Sequence, residues 1–366
     1  MSLRTDQAIR AARLRGCLLG GAIGDALGYP LEFLSLNEIR TRHGDHGPAD
    51  LVANADGVAP VSDDTQMTLF TAEGFRHGLV RERSKGIGGA MTVLVHNAYL
   101  RWLDTQNFPI PPPKEGLPHR VGRLRHERWL YARRAPGTAC LTGLAAGYTP
   151  PPNAELTGRP GPVNPDSKGC GTVMRSAPFG FATYPAPAFE LAATCAQITH
   201  GHPTGYYAAG AFAAMIACLM DGESLEGAVL RAMRLLARRP GHEETSDKLQ
   251  QAVDLAAAGD ATAERVESLG GGWVAEEALA IAVYAALAPV ALPDFHPESE
   301  IAARLRLAVT HSGDSDSTGS VCGNLLGACH GDASLPWRWL SRVEGRAAIA
   351  MVADDLTVQT GQTRSS

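Results

Sequence analysis

Two short stretches pack carboxylates and hydroxyls directly before apolar segments. "VSDDTQMTLF" (residues 61–70) places Ser62, Asp63 and Asp64 directly before an apolar-periodic segment, and "HSGDSDSTG" (311–319) places Asp314, Asp316 and Ser317 before another. Both read as helix starts, where an aspartate or serine side chain can cap free backbone N–H groups and complement the helix dipole. Capping explains one aspartate of each pair and leaves the second without a purpose. If the two stretches, about 250 residues apart in sequence, converge in space, four carboxylates must repel one another and raise each other's pKa values unless positive charge joins them. Oxygen-only donors suit a hard cation such as magnesium, manganese or calcium. Two such ions a few ångströms apart are a recurring hydrolytic device. D-x-D is a weak motif and the calcium-loop spacing is absent, so metal binding and two separate caps both remain open on these residues alone.

Three further stretches bear on the choice. "GCLLGGAIGDALGYPLEF" (16–33) has small residues at 16, 20, 21, 24 and 28, which permit close backbone approach, and sets Asp25 and Glu32 among nearly uncharged neighbours. Asp25 is expected to be an internal hydrogen-bond acceptor at a helix crossing. "DSKGCGTVMRSAPFG" (166–180) is a glycine turn, by default a plain one, whose backbone N–H groups could serve a phosphate. "ITHGHPTGYYAAGAF" (198–212) puts His200 and His202 between apolar helices, where satisfied buried histidines are the common case.

Taken in chain order, from about residue 14 to residue 331, the five stretches resemble the ADP-ribosylglycohydrolase family. The resemblance implies an all-α fold with a two-metal centre, magnesium or manganese, that cleaves ADP-ribose from a modified target, an ADP-ribosylated protein. It places Ser62, Asp63, Asp64, Asp314, Asp316 and Ser317 as metal ligands, Ser317 standing where many members have threonine. Glu32, seven residues after the aspartate of "GDALG", matches the acidic residue near the scissile bond. Asp166, Ser167, Lys168, Gly169, Cys170 and Gly171 match the loop for the distal ribose and phosphates, and His200 a residue near the ADP-ribose. The chain departs from the common Gly-Asn-Gly at Gly169-Cys170-Gly171, which removes an amide group and leaves a thiol whose expected role is packing.

Breaking a glycosidic bond passes through an oxocarbenium-like state and needs an activated water and a protonated leaving group. Metals could orient the ribose diol and acidify a bound water, with Glu32 or Asp316 as the base. Arginine is the expected linkage. An ADP-ribose-binding or toxin-immunity protein, with the proline-rich loops gripping a toxin partner, is the alternative. A phosphohydrolase fits the metals and leaves "GDALGYPLE" unexplained.

The elements that must position these groups are helices. Ala/Leu-rich segments at 8–23, 65–79, 87–104, 186–199, 205–221, 224–238, 245–258, 274–289, 298–310 and 318–330 show helical periodicity with little β-branched alternation. They predict an all-α, compact multi-helix orthogonal bundle spanning 1–366 as a single domain, without internal repeat or heptad run. Long Pro/Gly-rich loops fall at 107–118 and 148–171. Whether "GGGWVAEEALA" (270–280) closes over the site or packs on the core is open.

Whole-chain numbers narrow the function classes. With 33 Lys+Arg against 38 Asp+Glu, no basic excess exists to hold a nucleic-acid backbone. The Arg-rich "RVGRLRHERWLYARR" (120–134) is expected to be a helix with a solvated face. Seven scattered cysteines without a C-x-x-C pair predict reduced core thiols in a cytoplasmic protein. Arginines before the first apolar stretch imitate an export signal, but glycines and Asp25 interrupt it. The longest apolar run, 208–220, falls short of the roughly 20 residues a membrane span needs and reads as a buried core helix, so no membrane association is expected.

Overall fold

A computed structural model describes residues 3–86, 88–114, 116–291 and 297–363, and among these there is no strand. Fifteen α-helices occur in the described residues: α1 (Leu3–Gly28), α2 (Leu36–His43), α3 (Asp63–Lys85), α4 (Met91–Asn107), α5 (Thr138–Ala145), α6 (Pro185–Ala196), α7 (Pro203–Met220), α8 (Leu225–Leu236), α9 (Glu243–Ala257), α10 (Ala263–Ser268), α11 (Ala275–Leu287), α12 (Pro297–Val309), α13 (Ser315–His330), α14 (Trp337–Leu340) and α15 (Arg346–Thr363). The all-α expectation holds, and each of the ten segments read from periodicity corresponds to a helix. Residue 87, the first of one such segment, lies outside the described residues; that helix begins at Met91.

The architecture is organised by the antiparallel crossing of α1 and α13. The glycines expected to allow close approach meet a second stripe of the same kind. A Cβ on Gly16 would fall 2.3 Å from the Gly327 carbonyl oxygen, on Gly20 2.4 Å from that of Gly323, and on Gly24 1.9 Å from that of Gly319. A Cβ on Gly28 would fall 2.1 Å from the Ser315 carbonyl oxygen. The obstacle in each case is backbone, which cannot swing aside, so the two helices touch main chain to main chain. Asn324 seals this seam by donating to the Cys17 carbonyl oxygen at 2.7 Å. The crossing brings Asp25 of α1 beside the start of α3, and Gly28 beside the acidic start of α13.

One hydrophobic cluster joins Leu14 on α1 to Leu356 on α15. Its centre is α7, which by length and composition could cross a membrane and is buried along its whole length inside the fold. It starts at Pro203, where a missing N–H costs nothing, and His202 caps it by accepting from Thr204 N at 3.3 Å.

Residues 120–134 differ from expectation. They form two 3-10 turns, Leu124–His126 and Arg128–Leu130, in irregular chain. Arg123, Arg128 and Arg133 are exposed, but three of the arginines here are structural struts: Arg120 pairs with Asp104 at 2.8 Å, Arg134 with Glu344, and buried Arg125 donates to the Pro112 carbonyl. Prolines 111–113 and the returning loop give these guanidinium groups carbonyl and carboxylate partners, which replaces the solvated helical face.

Candidate active site

The first half of the site is the amino end of α3. Ser62 caps the helix, its Oγ accepting from Asp64 N at 3.2 Å. Beneath it Asp25, fully buried, accepts from Ser62 N at 2.9 Å and from Thr65 N at 3.0 Å, and takes the Thr65 hydroxyl as well. Asp25 is the internal acceptor expected of it. Burial pushes its carboxyl up to about 6, against the opposing pull of the Thr65 and Ser62 donors. With capping handled by Ser62 and anchoring by Asp25, the two α3 aspartates are left to the cleft. Asp63 receives one long bond, from Gly137 N at 3.4 Å, and the buried Oδ2 of Asp64 has no hydrogen-bond partner among the described residues.

The second half is the amino end of α13. Asp314 caps it by accepting from Ser317 N at 3.3 Å, and Asp316 accepts from the same N–H at 3.0 Å. The preceding turn needs glycine twice over: Gly313 sits at φ +136°, and a Cβ there would meet the Gly271 carbonyl oxygen at 2.0 Å. Asp314 N donates to that same oxygen at 2.8 Å, which ties segment 270–274 to the site. The segment therefore lies against the acidic turn, with Trp273 in the wall of the cleft.

Glu32, Asp63, Asp64, Asp314, Asp316 and Ser317 line one cleft of about 220 Å³, faced by Gly169, Cys170, Gly171, His200 and Trp273. The two acidic stretches and Glu32 do converge. Burial, then mutual repulsion, raises Asp63, Asp64 and Asp316 well above the carboxylate range, and Glu32 is pushed up to about 8 by burial and by Asp314 and Asp25. Opposite them, Cys170 Sγ lies 2.8 Å from Asp314 Oδ2, and burial together with Asp314 and Asp64 holds its thiol well up. His200 is forced neutral, its pKa lowered to about 3 by burial and by Arg175.

Not every expected residue reaches the cleft. Ser62 is buried beneath the α3 start and outside the lining. The 166–171 loop divides: Gly169, Cys170 and Gly171 form wall, while Lys168 turns away to pair with Glu244 and with Glu276, and Asp166 and Ser167 lie outside the lining. Among the described residues no group of three or more His, Cys, Asp or Glu side chains stands in metal-holding geometry. The carboxylates share a cleft without closing on one point. The donor chemistry nonetheless fits hard cations: crowded carboxylates whose pKa values burial and repulsion raise, with one buried oxygen lacking a partner among the described residues. Wall residues not foreseen are Gly137, Thr138, Cys140 and Met174. The glycine and proline of "APGTACL" hinted at a turn there, without chemistry to mark it.

Residues 6–365 match the ADP-ribosylglycohydrolase family. The chain belongs to it. An uncharacterized protein of Archaeoglobus fulgidus is 27% identical over 364 residues, covering 94% of this chain and 95% of its own. The ADP-ribosyl-[dinitrogen reductase] glycohydrolase of Rhodospirillum rubrum is 24% identical over 344 residues, covering 91% and 90%. Among solved structures, the ADP-ribosylglycohydrolase-related protein complex superposes with a TM-score of 0.59 at 23% identity, covering 96% of this chain and 99% of that one, a likeness of fold. As a member of the ADP-ribosylglycohydrolase family the protein is a hydrolase that removes ADP-ribose from modified molecules.

Proposed function

We propose that this ADP-ribosylglycohydrolase is a metal-dependent enzyme acting on an ADP-ribosylated protein, at the N-glycosidic bond to arginine. The observation that carries the metal reading is the meeting of two acidic helix starts in one cleft, with Asp64 Oδ2 buried and unpartnered. Asp63, Asp64, Asp314 and Asp316, with the hydroxyl of Ser317, would hold two Mg2+ or Mn2+ ions. Bound there, such ions supply charge compensation, a grip on the ribose diol and a more acidic water.

Hydrolysis breaks the bond from the anomeric carbon to nitrogen and forms one from that carbon to a water oxygen. The water must lose a proton and the leaving guanidine must gain one. Glu32, on the cleft wall with its carboxyl pushed up to about 8, holds or takes a proton at its carboxylate oxygen near neutrality. Asp316 is the second candidate base. The named relative acts on a modified protein, which supports the same substrate class here. The seven cysteines are unpaired, in keeping with a reducing cytoplasm.

Free ADP-ribose released from arginine-, serine- and otherwise modified proteins, with magnesium, manganese or chelator, tests the assignment. Metal-dependent release from arginine that Asp316→Ala abolishes is the expected result. Release unaffected by chelator overturns the metal, and release confined to serine overturns the linkage. ADP-ribose bound but never released would turn the protein into a binding module.

A further inference from the structure

Behind the glycine wall of the cleft lies a buried cation that the reaction does not use. Arg175 is 1% exposed and, among the described residues, forms no ion pair with a carboxylate. Its guanidinium stands 4.5 Å from the Tyr99 ring centroid, approaches Cys140 Sγ at 3.4 Å and donates through Nη2 to Thr199 Oγ1 at 2.6 Å. The Thr199 hydroxyl in turn lies 2.7 Å from His200 Nδ1.

The single hydroxyl proton has two places to go. One is the Ala196 carbonyl oxygen, 3.5 Å away, which already accepts from the Thr199 and His200 backbone N–H groups at 3.1 Å each. The other is His200 Nδ1, much closer and with a free lone pair if that nitrogen is unprotonated. Arg175 can only donate, so it occupies Thr199 Oγ1 as an acceptor and directs the hydroxyl proton toward the imidazole. A second proton on the ring would place an imidazolium one hydroxyl away from a buried guanidinium. The remaining ring proton therefore sits on Nε2. That nitrogen has no hydrogen-bond partner among the described residues, and it faces the turn of the cleft wall. A Cβ on Gly169 would lie 3.3 Å from it, and one on Gly171 3.4 Å.

We propose that Arg175 and Thr199 are positioning residues that lock His200 in its Nε2–H tautomer, so that the wall at Gly169–Gly171 presents a neutral, buried N–H donor to an oxygen of bound ADP-ribose. A neutral donor does not compete with the cleft's carboxylates, because it has no charge to pair with them. A side chain at 169 would press on the ring edge, and one at 171 would meet Cys140 Sγ at 2.7 Å before the ring. This inference rests on the ADP-ribose reading of the cleft for the ligand alone; the tautomer lock stands on the protein's own hydrogen bonds.

The test is a long-range proton–nitrogen NMR spectrum of imidazole-labelled protein, which reads the protonated nitrogen of His200 without ligand, alongside calorimetric titration with ADP-ribose. Wild type and Thr199→Ser should both show the Nε2–H form and bind ADP-ribose alike. Thr199→Val, of nearly the same shape, should lose the lock, show mixed tautomers and bind ADP-ribose more weakly in proportion to the lost Nε2–H fraction, about twofold for an equal mixture. His200→Gln, which keeps an N–H near the Nε2 position, should bind more tightly than His200→Asn. An Nδ1–H signal in the wild type, or unchanged tautomer and affinity in Thr199→Val, overturns the proposal. An Nε2–H signal with no ADP-ribose binding upholds the lock and overturns the ligand reading instead.

Discussion

Cys170 Sγ lies 2.8 Å from Asp314 Oδ2, so the residue that departs from the common Gly-Asn-Gly pattern still supplies a hydrogen-bond donor to the acidic turn of α13. The contact decides the character of the thiol. Burial and the Asp314 and Asp64 carboxylates oppose the thiolate, which is the reactive form. Cys170 should therefore be alkylated by iodoacetamide at pH 8 at about one-tenth the rate of a free cysteine or less. Peptide mass spectrometry over a time course reads the rate. Alkylation as fast as free cysteine would mean that the thiol does not donate to Asp314.

The α1/α13 seam should tolerate no methyl group. Gly24→Ala would drive a Cβ to 1.9 Å from the Gly319 carbonyl oxygen, and separating two packed backbones should cost at least about 2 kcal/mol. Gly227→Ala, in α8 with its nearest neighbour 3.3 Å away, should be neutral or gain up to about 1 kcal/mol. Urea unfolding of both variants measures the difference. Equal stabilities would refute the close approach.

How far the chain could be read beforehand follows from this seam. The stripe at residues 16, 20, 24 and 28 was visible, and so was the acidic turn at 311–319. The partner stripe at Ser315, Gly319, Gly323 and Gly327 has the same four-residue spacing, but the aspartates beside it point to chemistry rather than to packing. The convergence of Asp64 and Asp314 is implied by the family resemblance, since charge alone opposes it; the crossing that enforces it is a property of two backbones. The misreading of residues 120–134 has the opposite cause. Arginines look solvated in sequence, whereas Arg125 finds the carbonyl of Pro112 in the neighbouring loop and Arg134 the carboxylate of Glu344, far off in sequence. Thr199 and Arg175 carried no signal, since a threonine and an arginine in an apolar stretch are ordinary until their hydrogen bonds are known.

Asp25 should be structural in the strict sense. Its two oxygens accept from Ser62 N, Thr65 N and the Thr65 hydroxyl. An asparagine offers one acceptor where two are used, and would turn an N–H2 group toward donors. Asp25→Asn should lower stability by about 1–3 kcal/mol and disorder the α3 start. Guanidinium unfolding together with amide exchange at residues 62–66 reports both. Unaltered exchange there would show that the α3 start does not depend on the carboxylate.

The crowded carboxylates set a pH dependence whose sign can be worked out. In protein stripped of divalent cations, Glu32 is pushed up to about 8 and Asp25 to about 6, from ordinary values near 4 in an unfolded chain. Between those limits the folded protein keeps protons that the unfolded chain has already lost. Stability is therefore fullest below about pH 4 as far as these groups decide it, and declines as pH rises toward 8. Thermal unfolding in chelator should show Tm falling from pH 5 to pH 8. Saturating magnesium or manganese should flatten the slope, because a cation held by the same carboxylates replaces the protons and releases them to solvent. Calorimetric titration in buffers of different ionisation heat counts those protons. A Tm that is flat in chelator across this range would mean that burial and repulsion do not raise these carboxyls in the fold, and would remove the electrostatic argument for a cation in the cleft.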